Sequence, residues 1–315
     1  MTFKPLLAMA IAIMVLPGSA AGEKLTVMLD WFVNPDHGPL FVARERGYFE
    51  QAGLQVELIA PADPNNPPKF VAAGKADIAI SYQPQLHVQV AQGLPLVRIG
   101  TLVSMPLNSL VVLAGGPVRT LADLKGRKVG FSVGGFEDAL LKAMLAKHGL
   151  TLADVTLINV NFSLSPALIA GQVDAVIGAF RNFELNQMDI EGHPGRAFFV
   201  EEHGVPAYDE LIFVAHKESL RRPSLAQFVS AIERATHYMV NHPQESWELF
   251  VGTDKSLDDE LNQRAWRDTL PRFALRPAAL DIGRYRRMAD FLYAQRLIAK
   301  KLPLSEYAVD LFNRP

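Results

Sequence analysis

The sequence predicts an α/β protein of two similar βαβ lobes, joined by a two-segment hinge and with C-terminal helices on the first lobe. Two segments carry this prediction because they repeat one pattern: residues 71–80, VAAGKADIAI, and residues 168–177, LIAGQVDAVI. Each reads as a helix end, a glycine suited to the left-handed conformation, a polar turn and a buried strand. Upstream of each we predict a helix that ends at a glycine, over residues 41–53 and 139–149. A repeated unit predicts two related lobes with a cleft between them; one larger doubly wound domain is the alternative.

The strands are predicted from short apolar runs bounded by turn formers. The predicted strands lie at residues 25–29, 54–59, 78–81, 97–102, 110–113, 128–131, 155–158, 175–177 and 210–215. The last of these returns the chain to the first lobe. The chain therefore passes between the lobes twice, near Asn108–Val112 and near Tyr208–Phe213. Two crossings make a hinge. We therefore assign residues 22–109 to lobe 1, residues 110–209 to lobe 2, and residues 210–315 to a return to lobe 1.

From Pro223 onward the sequence has helical periodicity. Apolar residues recur at three- and four-residue steps and predict one buried helix face: Leu225, Phe228, Val229, Ile232, Ala235 and Met239. Further helices are predicted at residues 244–250, 257–270 and 282–300. We expect all of them to cover the first lobe.

The N-terminus has the pattern of a signal peptide. Lys4 precedes an apolar run from Leu6 to Leu16, and small residues lead to a predicted cleavage after Ala21. A transmembrane anchor is the alternative, but this run is shorter than the roughly twenty residues that a span needs. We expect an exported, periplasmic protein, monomeric and without a membrane anchor.

Composition excludes several classes of function. The chain has no cysteine, which excludes a disulfide framework, a thiolate metal site, a cysteine nucleophile and a lipid-modified cysteine. The net charge is −2 and no basic run occurs, so a nucleic-acid partner has no electrostatic support. Walker, His-x-x-x-His and His-Glu-x-x-His spacings are absent as well. We expect no catalytic residue, no metal site and no cofactor.

Candidate ligand-binding residues gather where predicted strands end, which is where open α/β sheets bind ligands. Trp31, Tyr82 and Phe180 are aromatic and suit stacking on a flat ligand. Polar candidates that would orient it are Asn34, His37, Gln83, Asn108, Ser132, Glu137 and Glu184. For Glu137, an ordinary helix-start acid is an equal alternative. Together they predict an apolar cleft with a few oriented hydrogen-bonding groups.

An anion site is a second interpretation of the same cleft. The turn Ser132–Gly135 resembles a phosphate-cradling helix start, and Arg181 supplies a nearby cation. Against this interpretation, Glu137 and Asp138 occupy the first turn of that helix and would repel an anion.

Several motifs resemble the thiamine-pyrimidine (NMT1/THI5-like) family. The opening segment Asp30-Trp31-x-x-Asn34-x-x-His37-Gly38 resembles that family's first motif, and residues 41–56, 72–83, 106–108 and 125–130 match it further. The resemblance is strongest from Leu25 to Leu145. The family groups fungal pyrimidine synthases with bacterial periplasmic formylaminopyrimidine-binding proteins, and is related to nitrate and alkanesulfonate binders.

The resemblance implies a type II periplasmic-binding-protein fold. In the bacterial branch it also implies capture of an aminopyrimidine, of the formylaminopyrimidine or hydroxymethylpyrimidine type, for an ABC permease that serves thiamine biosynthesis or salvage. A sulfonate- or nitrate-type binding protein, a pyrimidine synthase and a periplasmic sensor module are the alternatives.

The chain departs from the synthase pattern in its chemistry. Fungal synthases carry a cofactor-binding lysine and a histidine on the segment that aligns with Ser81 and Gln85, together with a cysteine-rich motif, and none of these is present. We therefore expect a binding protein and not an enzyme. The bacterial pattern also differs, because Arg181-Asn182-Phe183 replaces an aromatic cluster, so the resemblance leaves the ligand's identity open.

Overall fold

The structure is a computed structural model that describes residues 22–313 of the 315-residue chain. The predicted signal peptide and the cleavage site after Ala21 lie outside the described residues. Over the described range, ten β-strands form two separate five-stranded sheets. Numbered along the chain, they are β1 (Glu23–Met28), β2 (Leu54–Ile59), β3 (Ile78–Ser81), β4 (Leu96–Val103), β5 (Asn108–Leu113), β6 (Lys128–Phe131), β7 (Thr156–Asn159), β8 (Ala175–Phe180), β9 (Gly195–Phe199) and β10 (Leu211–His216).

Eleven α-helices, besides short 3-10 turns, connect and cover the sheets of residues 22–313. They are α1 (Gly38–Glu45), α2 (Tyr48–Gln51), α3 (Pro67–Ala72), α4 (Gln83–Ala91), α5 (Glu137–Ala146), α6 (Leu164–Ile169), α7 (Glu184–Ile190), α8 (Pro223–Asn241), α9 (Pro243–Gly252), α10 (Glu260–Thr269) and α11 (Ile282–Ala294). No helix in this part of the chain is both long and apolar enough to cross a membrane.

The two sheets have the same topology. Their strand orders are β2–β1–β3–β10–β4 and β7–β6–β8–β5–β9. In each, one strand pairs in parallel with two neighbours: β1 with β2 and β3, and β6 with β7 and β8. The remaining pairings are antiparallel, of β10 with β3 and β4 and of β5 with β8 and β9. This equivalence confirms the prediction of two related lobes.

The internal repeat has the predicted backbone conformation. Gly74 follows α3 with φ +67° and Gly171 follows α6 with φ +69°, and each leads into the third strand of its sheet. An L-residue with a side chain rarely adopts this conformation, so the glycine ends the helix without steric cost.

Two chain segments join the sheets, residues 104–107 between β4 and β5 and residues 200–210 between β9 and β10. The strand after the second segment, β10, completes the first sheet, as predicted. The proposed lobe boundaries at residues 109 and 209 stay a prediction. Helix α8 packs on the first lobe against α1 and α11 packs against α4, and the predicted apolar face of α8 is fully buried. Helix α10 departs from the expectation, because it also packs against α7 of the second lobe.

Two local predictions are wrong, and one strand is missing from the predictions. The predicted helix over residues 41–53 breaks at Gly47, which has φ +65° and begins α2. The predicted helix over residues 282–300 ends at Ala294, shortly before the positive φ of Arg296. Strand β9 was not predicted. It is an edge strand that, among the described strands, pairs with β5 alone. Its conformation therefore depends on partners 82 to 90 residues away in sequence and not on a local apolar alternation.

Candidate functional site

A cavity lies between the lobes, at the ends of the strands of both sheets. It leaves about 390 Å³ of empty space, part of it open to solvent. The first lobe lines it with Asp30, Trp31, Asn34, Asp36 and Tyr82, and the second lobe with Glu137, Leu164, Gly178, Phe180, Phe183 and Glu184. These residues end or follow β1, β3, β6 and β8, because parallel strands of one sheet present their carboxyl ends at one edge.

Six of the ten predicted binding residues line this cavity: Trp31, Asn34, Tyr82, Glu137, Phe180 and Glu184. The other four, His37, Gln83, Asn108 and Ser132, are buried behind it and do not line it. Three of those four hydrogen-bond to lining residues, which makes them supports of the cavity wall. Direct contact of any of the ten with a ligand stays a prediction.

Asp30 organises the first-lobe wall. Its Oδ1 lies 2.9 Å from His37 Nε2 and its Oδ2 accepts a hydrogen bond from the Tyr82 hydroxyl at 2.9 Å. His37 Nδ1 accepts the backbone N–H of Asn34 at 3.3 Å, so Nε2 carries the proton that is donated to Asp30. The fully buried His37 therefore holds Asp30, and Asp30 orients Tyr82.

The Tyr82 ring is held from two sides. It stacks on Phe136 with ring centroids 4.9 Å apart and an interplanar angle of 9°, and it meets Phe180 edge-to-face at 6.4 Å. Phe136 and Phe180 belong to the second lobe, so Tyr82 joins the lobes at the cavity. Phe136 thus covers one face of Tyr82, and Tyr82 lines the cavity together with Phe180.

Phe162 forms an aromatic contact that the sequence analysis missed. It lies in the loop between β7 and α6 of the second lobe and meets Trp31 of the first lobe edge-to-face, with centroids 4.6 Å apart. Phe32 lies against both Trp31 and Phe162, at 5.6 and 6.3 Å. The signal for Phe162 was its position just after a predicted strand, the same criterion that selected Trp31 and Tyr82.

Glu137 and Glu184 are the second-lobe carboxyl groups of the cavity. Burial raises the pKa of each to about 8, against hydrogen bonds that lower it. Ser132 N–H donates to Glu137 Oε2 at 2.7 Å, and Phe180 N–H donates to Glu184 Oε2 at 2.6 Å. Both carboxyl groups are therefore buried, oriented by backbone donors, and poised to hold a proton near neutral pH.

Gly178 makes room for Glu137. Its φ is +101°, and a Cβ at this position would lie 2.4 Å from the Glu137 carboxyl carbon. Its N–H donates to Asn108 Oδ1 at 3.1 Å, which ties β8 to β5 beneath the cavity. A residue with a side chain at position 178 would displace Glu137.

Asp36 adds a fourth lining carboxyl group and a bridge between the lobes. Its Oδ1 accepts hydrogen bonds from Asn182 Nδ2 at 2.6 Å and from Thr269 Oγ1 at 2.8 Å. Burial raises the pKa of Asp36 to about 6. With Asp30, Glu137 and Glu184, it makes the polar lining predominantly acidic.

No lysine, arginine or histidine lines the cavity in the described part of the chain. Arg181, the candidate cation of the anion interpretation, lies elsewhere. Its guanidinium pairs with Glu201 at 2.7 and 2.9 Å, donates to the carbonyl groups of Leu107 and Asn108, and covers the Phe199 ring at 3.9 Å. Arg181 thus ties the two inter-lobe segments together.

Ser132 is the centre of a Gly-x-Ser-x-Gly sequence, residues 130–134, which the sequence analysis missed. A serine nucleophile needs a hydrogen-bonded base. Ser132 Oγ instead donates to the backbone carbonyl of Asn161, so it lacks that arrangement. The described residues also contain no group of three or more His, Asp or Glu side chains suited to a metal ion.

Comparison with known proteins identifies related chains. Residues 34–246 match the family model described as NMT1/THI5 like. A putative thiamine biosynthesis protein of Haemophilus influenzae is 57% identical over 294 residues, which cover 93% of this chain and 94% of the relative. The formylaminopyrimidine-binding protein of Halalkalibacterium halodurans is 32% identical over 79% of this chain and 76% of its own. A 4-amino-5-hydroxymethyl-2-methylpyrimidine phosphate synthase of Schizosaccharomyces pombe is 27% identical over 76% of this chain and 72% of its own.

Solved structures share the fold. The alkanesulfonate-binding protein SsuA of Xanthomonas axonopodis, bound to MOPS, superposes with a TM-score of 0.71 at 20% identity and covers 92% of this chain and 99% of its own. The aliphatic sulphonate-binding protein SsuA of Escherichia coli gives a TM-score of 0.69 at 18% identity, over 90% and 91% of the two chains. The two-lobed architecture is therefore the type II periplasmic-binding-protein fold, as the motifs implied.

Proposed function

The chain belongs to the NMT1/THI5-like family, and we propose that it is the periplasmic solute-binding component of an ABC importer for a thiamine-precursor aminopyrimidine. The ligand is of the formylaminopyrimidine or hydroxymethylpyrimidine type. One observation carries this proposal: the cavity combines aromatic walls with four carboxyl groups and, among the described residues, no basic side chain. The relative named for formylaminopyrimidine binding supports it.

The carboxyl groups suit the hydrogen-bonding edge of an aminopyrimidine. Such a ring presents an amino group, which donates, beside a ring nitrogen, which accepts. A carboxyl group that holds its proton donates to the ring nitrogen through O–H and accepts from the amino group through C=O. Because burial raises the pKa of Glu137 and Glu184 to about 8, each can supply that proton at neutral pH. If the ring nitrogen takes the proton, the same pair becomes a charge-assisted hydrogen bond, worth about 1.5–3 kcal/mol.

The aromatic walls suit the faces of the same ring. Tyr82 and Trp31 border the cavity together with Phe180 and Phe183. Ring stacking adds about 0.5–1.5 kcal/mol per pair beyond the burial of apolar area. Ligand contact with both lobes then favours the closed arrangement that a transport partner recognises.

The alternatives are less well supported. A sulfonate or nitrate would meet four carboxyl groups, and Arg181 is already paired with Glu201. For a synthase, the segment that aligns with the lysine and histidine of the fungal enzymes carries Ser81 and Gln85, which hydrogen-bond to each other at 2.8 Å. Within residues 22–313, no lysine borders the cavity to form a Schiff base.

Calorimetry with matched ligands tests the proposal. We expect formylaminopyrimidine or hydroxymethylpyrimidine to bind with micromolar affinity or better, which corresponds to about 8 kcal/mol. Taurine and nitrate should give no heat. Mass spectrometry of the protein purified from its native host should identify a pyrimidine. Binding of taurine or nitrate with none of the pyrimidines would overturn the proposal, and an absorbance band of a lysine adduct after adding pyridoxal phosphate would favour the enzyme.

A further inference from the structure

A second cavity, which we call the outer chamber, continues the first one outward. It leaves about 690 Å³ of empty space and shares three lining residues with the inner cavity: Leu164, Phe183 and Glu184. The two cavities therefore meet at these three residues, and a substituent that extends past them from a ring in the inner cavity enters the outer chamber. The proposed function places the pyrimidine ring in the inner cavity and assigns no role to the outer chamber.

The walls of the outer chamber come from both lobes. Phe32 and Phe162 contribute its apolar side, and their rings lie 6.3 Å apart across the cleft. Asp259, just before α10, contributes its polar rim. Because the chamber forms only where the lobes meet, a group inside it contacts both lobes and adds to closure.

The charge of the outer chamber is negative. Asp259 supplies this negative charge, Glu184 holds a proton near neutral pH, and no lysine, arginine or histidine of residues 22–313 lines the chamber. The nearby Arg264 is paired with Asp189 at 2.7 Å and with Glu260, so it does not neutralise the chamber.

Asp259 is held in place by the helix that it precedes. Its Oδ1 accepts hydrogen bonds from Asn262 N at 2.7 Å and from Asn262 Nδ2 at 3.0 Å, as the cap of α10. The cap uses one oxygen and leaves the other for a donor on a ligand. A carboxylate accepts hydrogen bonds and donates none, so it favours N–H or O–H groups.

Resting on the proposed function, we propose that the outer chamber takes the substituent of the pyrimidine ring, accepts an uncharged or cationic group with an N–H donor, and rejects a phosphate monoester. An amide or amine donates to Asp259 or Glu184. A phosphate carries nearly two negative charges at neutral pH and meets the Asp259 carboxylate with no cation among the lining residues, which is the repulsive element that specificity requires.

Three probes with one 4-amino-2-methylpyrimidine ring test the proposal by calorimetry: the 5-formylaminomethyl compound, the 5-hydroxymethyl compound and the phosphate ester of the latter. We expect the amide to bind at least about a hundredfold more tightly than the phosphate ester, since like charges in contact cost several kcal/mol. In Asp259→Lys this ratio should fall by about tenfold or more.

Two further variants separate the charge from the fold. Asp258→Lys makes the same change in net charge at an exposed neighbour that does not line the chamber, and its ratio should stay near that of the wild type. Asp259→Asn retains a helix-capping side chain and should give an intermediate ratio. Because a loss of folded protein affects both apparent affinities equally, it cancels in their ratio.

The outcomes distinguish this proposal from the proposed function. If all three probes bind alike, or if Asp258→Lys lowers the ratio as much as Asp259→Lys, the chamber does not select the substituent. If none of the three probes binds, the proposed function itself fails.

Discussion

Asn65 of the first lobe donates from its side-chain nitrogen to the backbone carbonyl of Ser132 in the second lobe, at 3.1 Å. Its side-chain oxygen accepts the N–H of Gly134 at 3.0 Å. Ser132 also donates its own N–H to Glu137 in the cavity. The loop between β2 and α3 of the first lobe, which contains Asn65, is therefore hydrogen-bonded to the turn that orients a candidate ligand-binding carboxyl group.

Replacing Asn65 by alanine should speed ligand release. Two neutral hydrogen bonds contribute about 0.5–1.5 kcal/mol each, so affinity should fall roughly 5- to 100-fold, mostly through the dissociation rate. Stopped-flow tryptophan fluorescence, to which Trp31 at the cavity contributes, measures the rate of release of a bound pyrimidine. Asn66→Ala is the matched control, since Asn66 makes no side-chain capping bond in the same loop. Equal release rates for both variants would show that the hydrogen bonds of Asn65 to the second lobe do not slow ligand release.

The ligand-free protein should lose stability as pH rises from about 5 to about 8. Burial raises the pKa of Glu137 and Glu184 to about 8 from 4.5. A carboxyl pKa that is higher in the folded state favours folding fully below 4.5, and this contribution is lost as pH rises through 8. Thermal unfolding at several pH values measures it. Glu137→Gln should flatten the fall and weaken pyrimidine binding by about one to two powers of ten. A steeper fall in that variant would refute the assignment.

Gly178→Ala should disturb the cavity through a clash with Glu137, in addition to the cost of placing an alanine at a positive φ. A left-handed conformation costs an alanine about 1–2 kcal/mol. At residue 178 the new Cβ also meets the Glu137 carboxyl at 2.4 Å, whereas at Gly171, with φ +69°, nothing lies within 4 Å. Gly171→Ala should therefore destabilise the fold but leave the affinity for the ligand unchanged. Gly178→Ala should lower both the stability of the fold and the affinity for the ligand. Chemical denaturation and calorimetry on the pair decide this, and equal affinities would show that Glu137 is not needed for binding.

Arg181→Ala should weaken the contact between the two inter-lobe segments and should not change which ligand charge the protein prefers. The guanidinium joins the segment at Leu107–Asn108 to Glu201 of the other inter-lobe segment. Its loss should lower the free energy of unfolding by about 1–3 kcal/mol. It should create no preference among neutral and anionic ligands. Denaturation by urea and a calorimetric ligand panel measure the two effects. Loss of sulfonate binding in this variant, with wild type binding sulfonate, would restore the anion interpretation.

Export with cleavage after Ala21 stays a prediction of the sequence. N-terminal sequencing of protein from the periplasmic fraction should begin at Gly22. Intact Met1 on protein recovered from the cytoplasm would contradict it.

Much of the fold was predictable because its signals are local. The helix–glycine–strand repeat at Gly74 and Gly171 predicted two lobes, and the apolar face of α8 is buried as its periodicity requires. The unpredicted features depend on distant partners: β9 exists as a strand through its pairing with β5. The break at Gly47 has a local cause that the pattern did not reveal, because the apolar residues keep their helical spacing on both sides of the glycine although its φ of +65° interrupts the helix.

For the candidate site, the sequence by itself determined the chemistry available: aromatic rings and acids where strands end, without a cysteine or a basic run. Only the tertiary structure decided how these groups are used. It brings Trp31 against Phe162, places Glu137 over Gly178, and adds Asp259 from the C-terminal helices to the rim. It also turns His37 and Arg181, two candidate ligand groups, into partners of Asp30 and Glu201. The reason is physical: burial and pairing depend on chain segments far apart in sequence, whereas residue type and periodicity are local.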